Sequence, residues 1–142
     1  SIMSAKHDIT ANQGETLNFH VLYTDNDGTG VDLTNYTAEM KVKRSTKGTQ
    51  LLYLTSLSAG QGTGITAGVT GASYGMTGGI SLNRSAGNSG GQTGGILVIA
   101  GATAMSFVPE GRHLYDLELK TPQGSKVRLI EGRFESDSEI TK

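Results

Sequence analysis

The histidines have the widest chemical range in this sequence, because imidazole binds metals and transfers protons near neutral pH. The chain has three of them, His7, His20 and His113. Histidine ligands of a zinc site usually lie a few residues apart, for example at i and i+4. These three are far apart, so their spacing predicts no metal site.

The stretch Asp-Asn-Asp-Gly-Thr-Gly-Val-Asp offers the oxygen ligands that calcium prefers. Its donors are Asp25, Asn26, Asp27 and Asp32. A helix–loop–helix calcium site also needs a glutamate at its twelfth position, where this sequence has Tyr36, and helices on both sides. We therefore expect a hairpin loop whose Asp and Asn side chains bond to the local backbone, and calcium binding by this loop stays an open alternative.

A second acidic group lies near the end of the chain. Its members are Asp116, Glu118, Glu131 and Glu135. Two carboxylates across a cleft are what a glycosidase requires. In a hairpin, however, these residues would alternate with basic residues, namely Lys126, Arg128 and Arg133 on the partner strand. Such cross-strand pairs are typical of a solvated sheet face, and we expect that role here.

Motifs for nucleophilic catalysis and phosphate binding are incomplete. Three serines among the glycines lack the Gly-x-Ser-x-Gly elbow of serine hydrolases. They are Ser81, Ser85 and Ser89. A nearby glycine run lacks the spacing of a dinucleotide fingerprint. It consists of Gly60, Gly62 and Gly64. The chain has no cysteine, which removes thiolate sites and disulfides. The sequence thus predicts no enzyme and no cofactor.

Alternating apolar and polar residues predict the strands that position these groups. In Thr-Leu-Asn-Phe-His-Val-Leu-Tyr-Thr, the apolar positions are 17, 19, 21 and 23. A second strand has Ala38, Met40 and Val42 on its apolar side. Leu-Leu-Tyr-Leu-Thr-Ser-Leu is a third candidate, and Ile9 lies in a short leading strand.

The last part of the chain predicts one β-hairpin, with Thr-Pro-Gln-Gly-Ser as its turn. We expect a bulge at Gly132 that lets Phe134 face inward. The other inward residues are predicted to be Tyr115, Leu117, Leu119, Val127 and Leu129.

Short strands separated by turn signals indicate an all-β, immunoglobulin-like sandwich. We expect a single domain whose core comes from residues 4–59 and 102–142. Residues 60–101 hold 14 of the 21 glycines without a three-residue period, so this block is predicted to be a glycine-rich insertion. It forms either tight turns within the sandwich or an arm that reaches a neighbouring subunit.

Length and charge exclude several classes of partner. A chain of 142 residues suits one domain. The net charge is −1 and the basic residues are scattered, which argues against a nucleic acid partner. No apolar run approaches the roughly 18 residues of a membrane span, so no membrane partner is expected.

Two segments, residues 8–45 and 110–141, share short motifs with a known family. The first segment has Gln13-Gly14, Asp27-Gly28 and Val-Asp-Leu-Thr at 31–34 with Tyr36. The second has Gly111 to Leu119, Leu129 with Glu131-Gly132, and the closing Ser-Glu-Ile-Thr. With these motifs, the two segments resemble small virion structural proteins of tailed bacteriophages. The domain of those proteins is similar to the immunoglobulin-like N-terminal module of phage upper baseplate proteins.

The resemblance implies a non-enzymatic structural component of a phage particle, in the tail, baseplate or neck. Its partners would be other phage structural proteins and further copies of itself, in a virion assembled in the bacterial cytoplasm. Two alternatives stay open, a capsid decoration protein and a module that binds a host surface or glycan. The glycine-rich block supplies the expected assembly contacts, Gly78, Gly79, Asn83, Arg84, Asn88 and Gln92.

Overall fold

Ten strands in two sheets make up most of residues 5–57, 65–73 and 75–138, the part of the chain that the computed structural model describes. One short α-helix and one 3₁₀ turn (Ala86–Asn88) complete the regular structure of this part. The elements are β1 (Ala5–Lys6), β2 (Ile9–Asn12), β3 (Leu17–Leu22), β4 (Thr37–Lys43), β5 (Gln50–Thr55), β6 (Ile65–Ala67), β7 (Gly78–Arg84), β8 (Gly91–Ala100), α1 (Ala102–Ser106), β9 (Gly111–Lys120) and β10 (Lys126–Asp137).

The large sheet has the strand order β1-β10-β9-β4-β5-β6, and β2 also pairs with β10. In it, β1 and β2 run parallel to β10 and the other neighbours are antiparallel. The small sheet has the order β3-β8-β7 and is antiparallel throughout. This division of strands is that of a variable-type immunoglobulin domain. The protein is therefore an all-β, immunoglobulin-like sandwich, as the sequence predicted.

The core between the sheets is aliphatic, because the strands alternate as their sequences indicate. The large sheet contributes fully buried side chains at the predicted inward positions Ala38, Met40, Val42, Leu117 and Leu119. The small sheet contributes Leu17, Ile80, Ile96 and Val98. Complete burial of one such aliphatic side chain stabilises the fold by about 1.5–3 kcal/mol.

The landmarks of antibody domains are replaced by other contacts. Those domains bury a tryptophan against a disulfide, and this chain has neither tryptophan nor cysteine. Tyr115 on β9 and Phe134 on β10 instead meet edge to face, with ring centroids 6.4 Å apart. His113, near the start of β9, is 4% exposed, and its Nε2 lies 2.8 Å from the carbonyl oxygen of Pro109. This backward bond resembles the one that a tyrosine makes at the same corner of antibody domains.

The assignment of residues 60–101 to an insertion outside the core was wrong. This block forms β6, β7 and β8, and β8 is the central strand of the small sheet. Its buried residues Ile65, Ile80, Ile96 and Val98 belong to the same core cluster as the residues of β4 and β9. The prediction failed because glycines interrupt the alternating apolar pattern of a segment but do not prevent its backbone from pairing as a strand.

The predicted bulge in β10 lies elsewhere. The register of β10 against β9 shifts between Arg128 and Ile130, not at Gly132. Phe134 is nevertheless fully buried, as predicted. Gly132 is needed for another reason, because a Cβ there would lie against the carbonyl oxygen of His7 in the N-terminal segment.

Candidate assembly surface on the small sheet

Charge is distributed very unequally between the two sheets. Apart from Arg84, the chain has no Lys, Arg, Asp or Glu between Gly48 and Pro109. The strands β7 and β8 lie in this stretch, and β3 has no Lys, Arg, Asp or Glu either, so Arg84 is the one charged residue of the small sheet's strands. The small sheet presents a neutral surface. This lack of charge is visible in the sequence, in the same block that is rich in glycine.

The outer face of the large sheet is densely charged. Arg128 lies 3.6 Å from Asp116, 3.7 Å from Glu118 and 3.5 Å from Glu131. On the same sheet, Glu135 lies 3.8 Å from Arg112. Here the carboxylates singled out in the sequence pair with Arg128, with Arg112 and, at Glu131, also with Lys6. This arrangement is the solvated network of ion pairs expected from the sequence. Arg128 was one of its predicted basic partners, whereas Arg112 and Lys6 were not predicted.

Burial and the neighbouring carboxylate of Glu118 raise the pKa of Asp116 above its ordinary value. The positive charges of Arg128, Lys41 and Lys43 oppose that shift without cancelling it. The nearby positive charges therefore favour the charged form of Asp116, whereas the desolvation of its carboxylate opposes that form.

The acidic loop between β3 and β4 bonds to its own backbone. Asp25 Oδ1 accepts the N–H groups of Asp27 at 2.9 Å and Thr29 at 3.0 Å. Asp32 Oδ1 accepts both the N–H and the hydroxyl of Thr34, at 3.0 and 2.7 Å. These bonds, with a further one from Asn83, lower the pKa of Asp32. The loop has the backbone-bonded geometry that its turn residues predicted.

Asn83 joins this loop to the small sheet. It has a left-handed φ of 56°, where the register of β7 against β8 shifts. Its Oδ1 accepts the N–H groups of Leu33 and Gly94, at 3.0 and 3.1 Å, and its Nδ2 donates to Asp32 at 3.0 Å. Sequence reasoning placed Asn83 among the assembly contacts, but its side chain is occupied within the fold.

The three histidines lie in separate places. His7 stacks on Phe19 with centroids 5.3 Å apart, and His20 Nε2 lies 2.9 Å from the carbonyl oxygen of Arg84. His113 lies near the start of β9, with its Nε2 beside the carbonyl oxygen of Pro109. Within the described residues, no group of three or more His, Asp or Glu side chains is placed to hold a metal ion.

The serines of the glycine-rich block belong to the hairpin of β7 and β8. Ser81 is exposed on β7, and Ser85 Oγ accepts the N–H of Gly90 at 3.1 Å. Ser89 ends the 3₁₀ turn between the strands. The glycines at positions 60, 62 and 64 lie outside the described residues.

The predicted assembly contacts gather on this hairpin. Gly78, Gly79, Asn83 and Arg84 lie on β7, Asn88 lies at its tip, and Gln92 is exposed on β8. They do not form the free arm that was one expectation, because β7 pairs with β8 along most of its length.

The two sheets also differ at their edges. The large sheet ends on one side in β6, which has three residues. On its other side the N-terminal segment is interrupted at Asp8, whose Oδ1 accepts the N–H of Arg133 at 2.9 Å. Short strands and interruptions of this kind discourage edge-to-edge association.

The small sheet lacks these protections. Its edge strands β3 and β7 have six and seven residues, with no proline and no charge before Arg84. Within the described part of the chain, each pairs with β8 alone. Leu22 at the end of β3 is 47% exposed. An uncharged, unprotected strand edge is a template for pairing with another chain.

No helix of the described residues is long and apolar enough to cross a membrane.

Comparison with known proteins supplies no family. No family model and no curated protein sequence matches the chain. Among solved structures, the chain is similar to the extracellular domain of the voltage-gated sodium channel β4 subunit, described as parallel homodimers with a role in cell–cell adhesion, at 11% identity and a TM-score of 0.45. The alignment covers 99% of this chain and 98% of that one.

A second structure, from work on multimeric cell-adhesive interactions of sodium channel β subunits, aligns at 12% identity and a TM-score of 0.42. It covers 99% of this chain and 100% of the other. At these values neither likeness extends to function, and the fold assignment rests on the strand order itself.

Proposed function

We propose that this protein is a non-enzymatic structural component of a tailed-phage particle, in the tail, baseplate or neck, and that it acts by protein–protein contacts. The observation that carries the proposal is the small sheet, whose strands carry one charged residue and whose two edge strands, within the described residues, each pair with β8 alone. A folded protein keeps such edges when a partner covers them in its working state.

The phage context comes from the resemblance of residues 8–45 and 110–141 to virion proteins. These segments supply β2, β3 and β4 and the hairpin of β9 and β10. The protein would reach its place by folding in the host cytoplasm and joining other phage structural proteins. Its charged large sheet suits the solvent-facing side of such an assembly, because ion pairs at an exposed face keep their hydration.

The test is to purify particles of a phage that encodes this chain, identify their proteins by mass spectrometry, and locate this one by cryo-electron microscopy. The proposal expects stoichiometric copies in the tail, baseplate or neck. Copies on the head would establish capsid decoration instead, and absence from the particle would refute a virion role.

A further inference from the structure

The hydrogen-bond pattern of β7 shows which of its backbone groups bond to β8 and which turn away from it. The N–H of Gly101 donates to the carbonyl oxygen of Thr77 at 2.7 Å, so residue 77 faces β8. In an antiparallel pair this direction alternates along the strand. Residues 79 and 81 therefore bond to β8, whereas residues 78, 80 and 82 turn their N–H and C=O groups to the open edge.

The position of Gly78 agrees with this pattern. Gly78 lies opposite Ala100 on β8, next to the hydrogen-bonded pair of Thr77 and Gly101. Because the two kinds of pair alternate along an antiparallel ladder, Gly78 and Ala100 form a non-hydrogen-bonded pair, whose N–H and C=O groups point away from each other.

We propose that β7 of a second copy of this chain pairs antiparallel with this edge, and that a twofold axis passes beside Ser81. The two small sheets then form one continuous six-stranded sheet. This inference rests on the proposed assembly function and names the surface and the partner through which the protein contacts itself.

The side chains of β7 suit this register. With Ser81 opposite Ser81 of the second copy, Ile80 lies opposite Leu82 on the core side of both molecules. Residue 81 is then a non-hydrogen-bonded pair, in which the Cα atoms approach to about 4.5 Å. Ser81 is small and exposed, and Gly79 beside it has no side chain, so the outer face leaves room for that approach.

Charge also favours a second copy at this edge. In the proposed register Arg84 lies opposite Gly78 of the other copy, and no like charges meet.

Pairing of β3 with β7 of the next molecule is an alternative arrangement. The N–H of Tyr23 donates to the carbonyl oxygen of Gly94, so alternation turns the backbone groups of Asn18, His20 and Leu22 on β3 away from β8. Those residues point away from the core, whereas Ile80 of β7 points into it. If the cores of both molecules lie on the same face of the joint sheet, β3 and β7 can therefore pair only in the parallel direction. Parallel pairing is slightly less stable per residue than antiparallel pairing.

A cross-linking experiment tests the register. Because the chain has no cysteine, Ser81→Cys and Asn18→Cys each introduce a single thiol. Both residues are exposed and lie on opposite edges of the same sheet. Under mild oxidation the Ser81→Cys protein is expected to form disulfide-linked dimers at least about tenfold faster than the Asn18→Cys protein. Equal rates would overturn the register.

Sedimentation of Ser81→Lys and Asn18→Lys tests the surface. Ser81→Lys brings two ammonium groups together at the axis and is expected to weaken dimerisation at least about tenfold, which corresponds to about 1.4 kcal/mol. Asn18→Lys should leave dimerisation unchanged. Unfolding curves like that of the wild type confirm that both variants fold.

The outcomes separate this inference from the proposed function. A wild-type protein that stays monomeric at all accessible concentrations would overturn the β7 dimer, and so would equal weakening by the two lysine variants. Either result leaves particle incorporation to be measured independently. Absence from the particle would refute the virion role, whereas a Ser81-centred dimer would still be established.

Discussion

The large and the small sheet bury equivalent apolar faces and differ in what they expose. The outer face of the large sheet has Arg128 among three carboxylates, and its edges are short or interrupted. The small sheet has two longer edges and Arg84 as its one charged residue. Under the proposed function, the charged large sheet faces solvent and the small sheet makes the assembly contacts.

The largest effect is expected when equal core volume is removed from each sheet. Ile96→Ala on β8 and Leu117→Ala on β9 both truncate fully buried side chains. We expect each to lower the free energy of unfolding by about 2–5 kcal/mol, because a cavity is added to the lost burial. Denaturant unfolding measures it. A negligible effect of Ile96→Ala on the free energy of unfolding would mean that the glycine-rich block does not contribute to the core.

The next prediction concerns the glycines that let the small sheet pack. A Cβ at Gly95 would lie 3.0 Å from His20 Nε2 and closer still to the carbonyl oxygen of Arg84. Gly95→Ala should therefore destabilise the fold by about 2 kcal/mol or more, through overpacking.

Gly90→Ala is the matched control for Gly95→Ala. A Cβ at Gly90, in the connection between β7 and β8, meets nothing within 4 Å. This change is expected to be neutral or to stabilise by up to about 1 kcal/mol, because alanine restricts the unfolded chain. Thermal unfolding of both variants measures the difference. Equal changes in the unfolding temperature would contradict the close packing at Gly95.

A smaller effect is expected at the contact between the small sheet and the acidic loop. Asn83→Ala leaves the N–H groups of Leu33 and Gly94 without their acceptor and should cost about 1–3 kcal/mol. Asn83→Gly, which tolerates the positive φ but also lacks the amide, separates the hydrogen bonds from the backbone conformation. If Asn83→Gly is as stable as the wild type, the bonds contribute nothing.

Because Asn83 bonds to Asp32, we also expect Asn83 to affect how the stability of the fold depends on pH. The pKa of Asp32 is lowered in the folded state, so its stabilising contribution is present above the ordinary pKa of 3.8 and is lost as the pH falls through the lowered value. Because Asn83 is one cause of that shift, the loss of stability in acid should be smaller in Asn83→Ala than in the wild type. Unfolding curves between about pH 2 and 6, which bracket the ordinary pKa, measure it.

The smallest effect is expected on the large sheet. Arg128 is 51% exposed, and exposed ion pairs contribute about 0–1 kcal/mol, so Arg128→Gln should change stability by less than about 1 kcal/mol. It should leave self-association unchanged as well, which sedimentation measures. Loss of the dimer in this variant would mean that the contact between the two copies lies on the charged face of the large sheet.

The sequence allowed the fold class and the core positions of β4 and β9 to be predicted, because Met40 and Leu117 lie in strict period-two patterns. It did not reveal the place of β7 and β8, where Gly94 and Gly95 precede the buried run from Ile96 to Val98. In isolation those glycines indicate a loop. In the fold they are sites of close backbone approach, which depends on contacts with Tyr23 and Arg84 elsewhere in the chain.

The sequence grouped Gly78, Gly79 and Arg84 as assembly contacts, and that role stays a prediction. These residues lie on a paired strand and not on the arm to a neighbouring subunit that was one expectation. Asn83 could not be recognised as an internal contact, because its partners Leu33 and Asp32 are about fifty residues away. The absence of charge between Gly48 and Pro109, apart from Arg84, was the sequence signal that pointed most directly to the small sheet.

Amide hydrogen exchange of the free and the assembled protein distinguishes assembly through β7 from assembly through the large sheet. In the free protein, the outward amides of Ile80 and Leu82 should exchange faster than that of Ser81, which bonds to β8. Assembly should slow Ile80 and Leu82 and leave the amides of β9 and β10 unchanged. Protection confined to the large sheet, with β7 unaffected, would contradict the assignment of assembly to the small sheet.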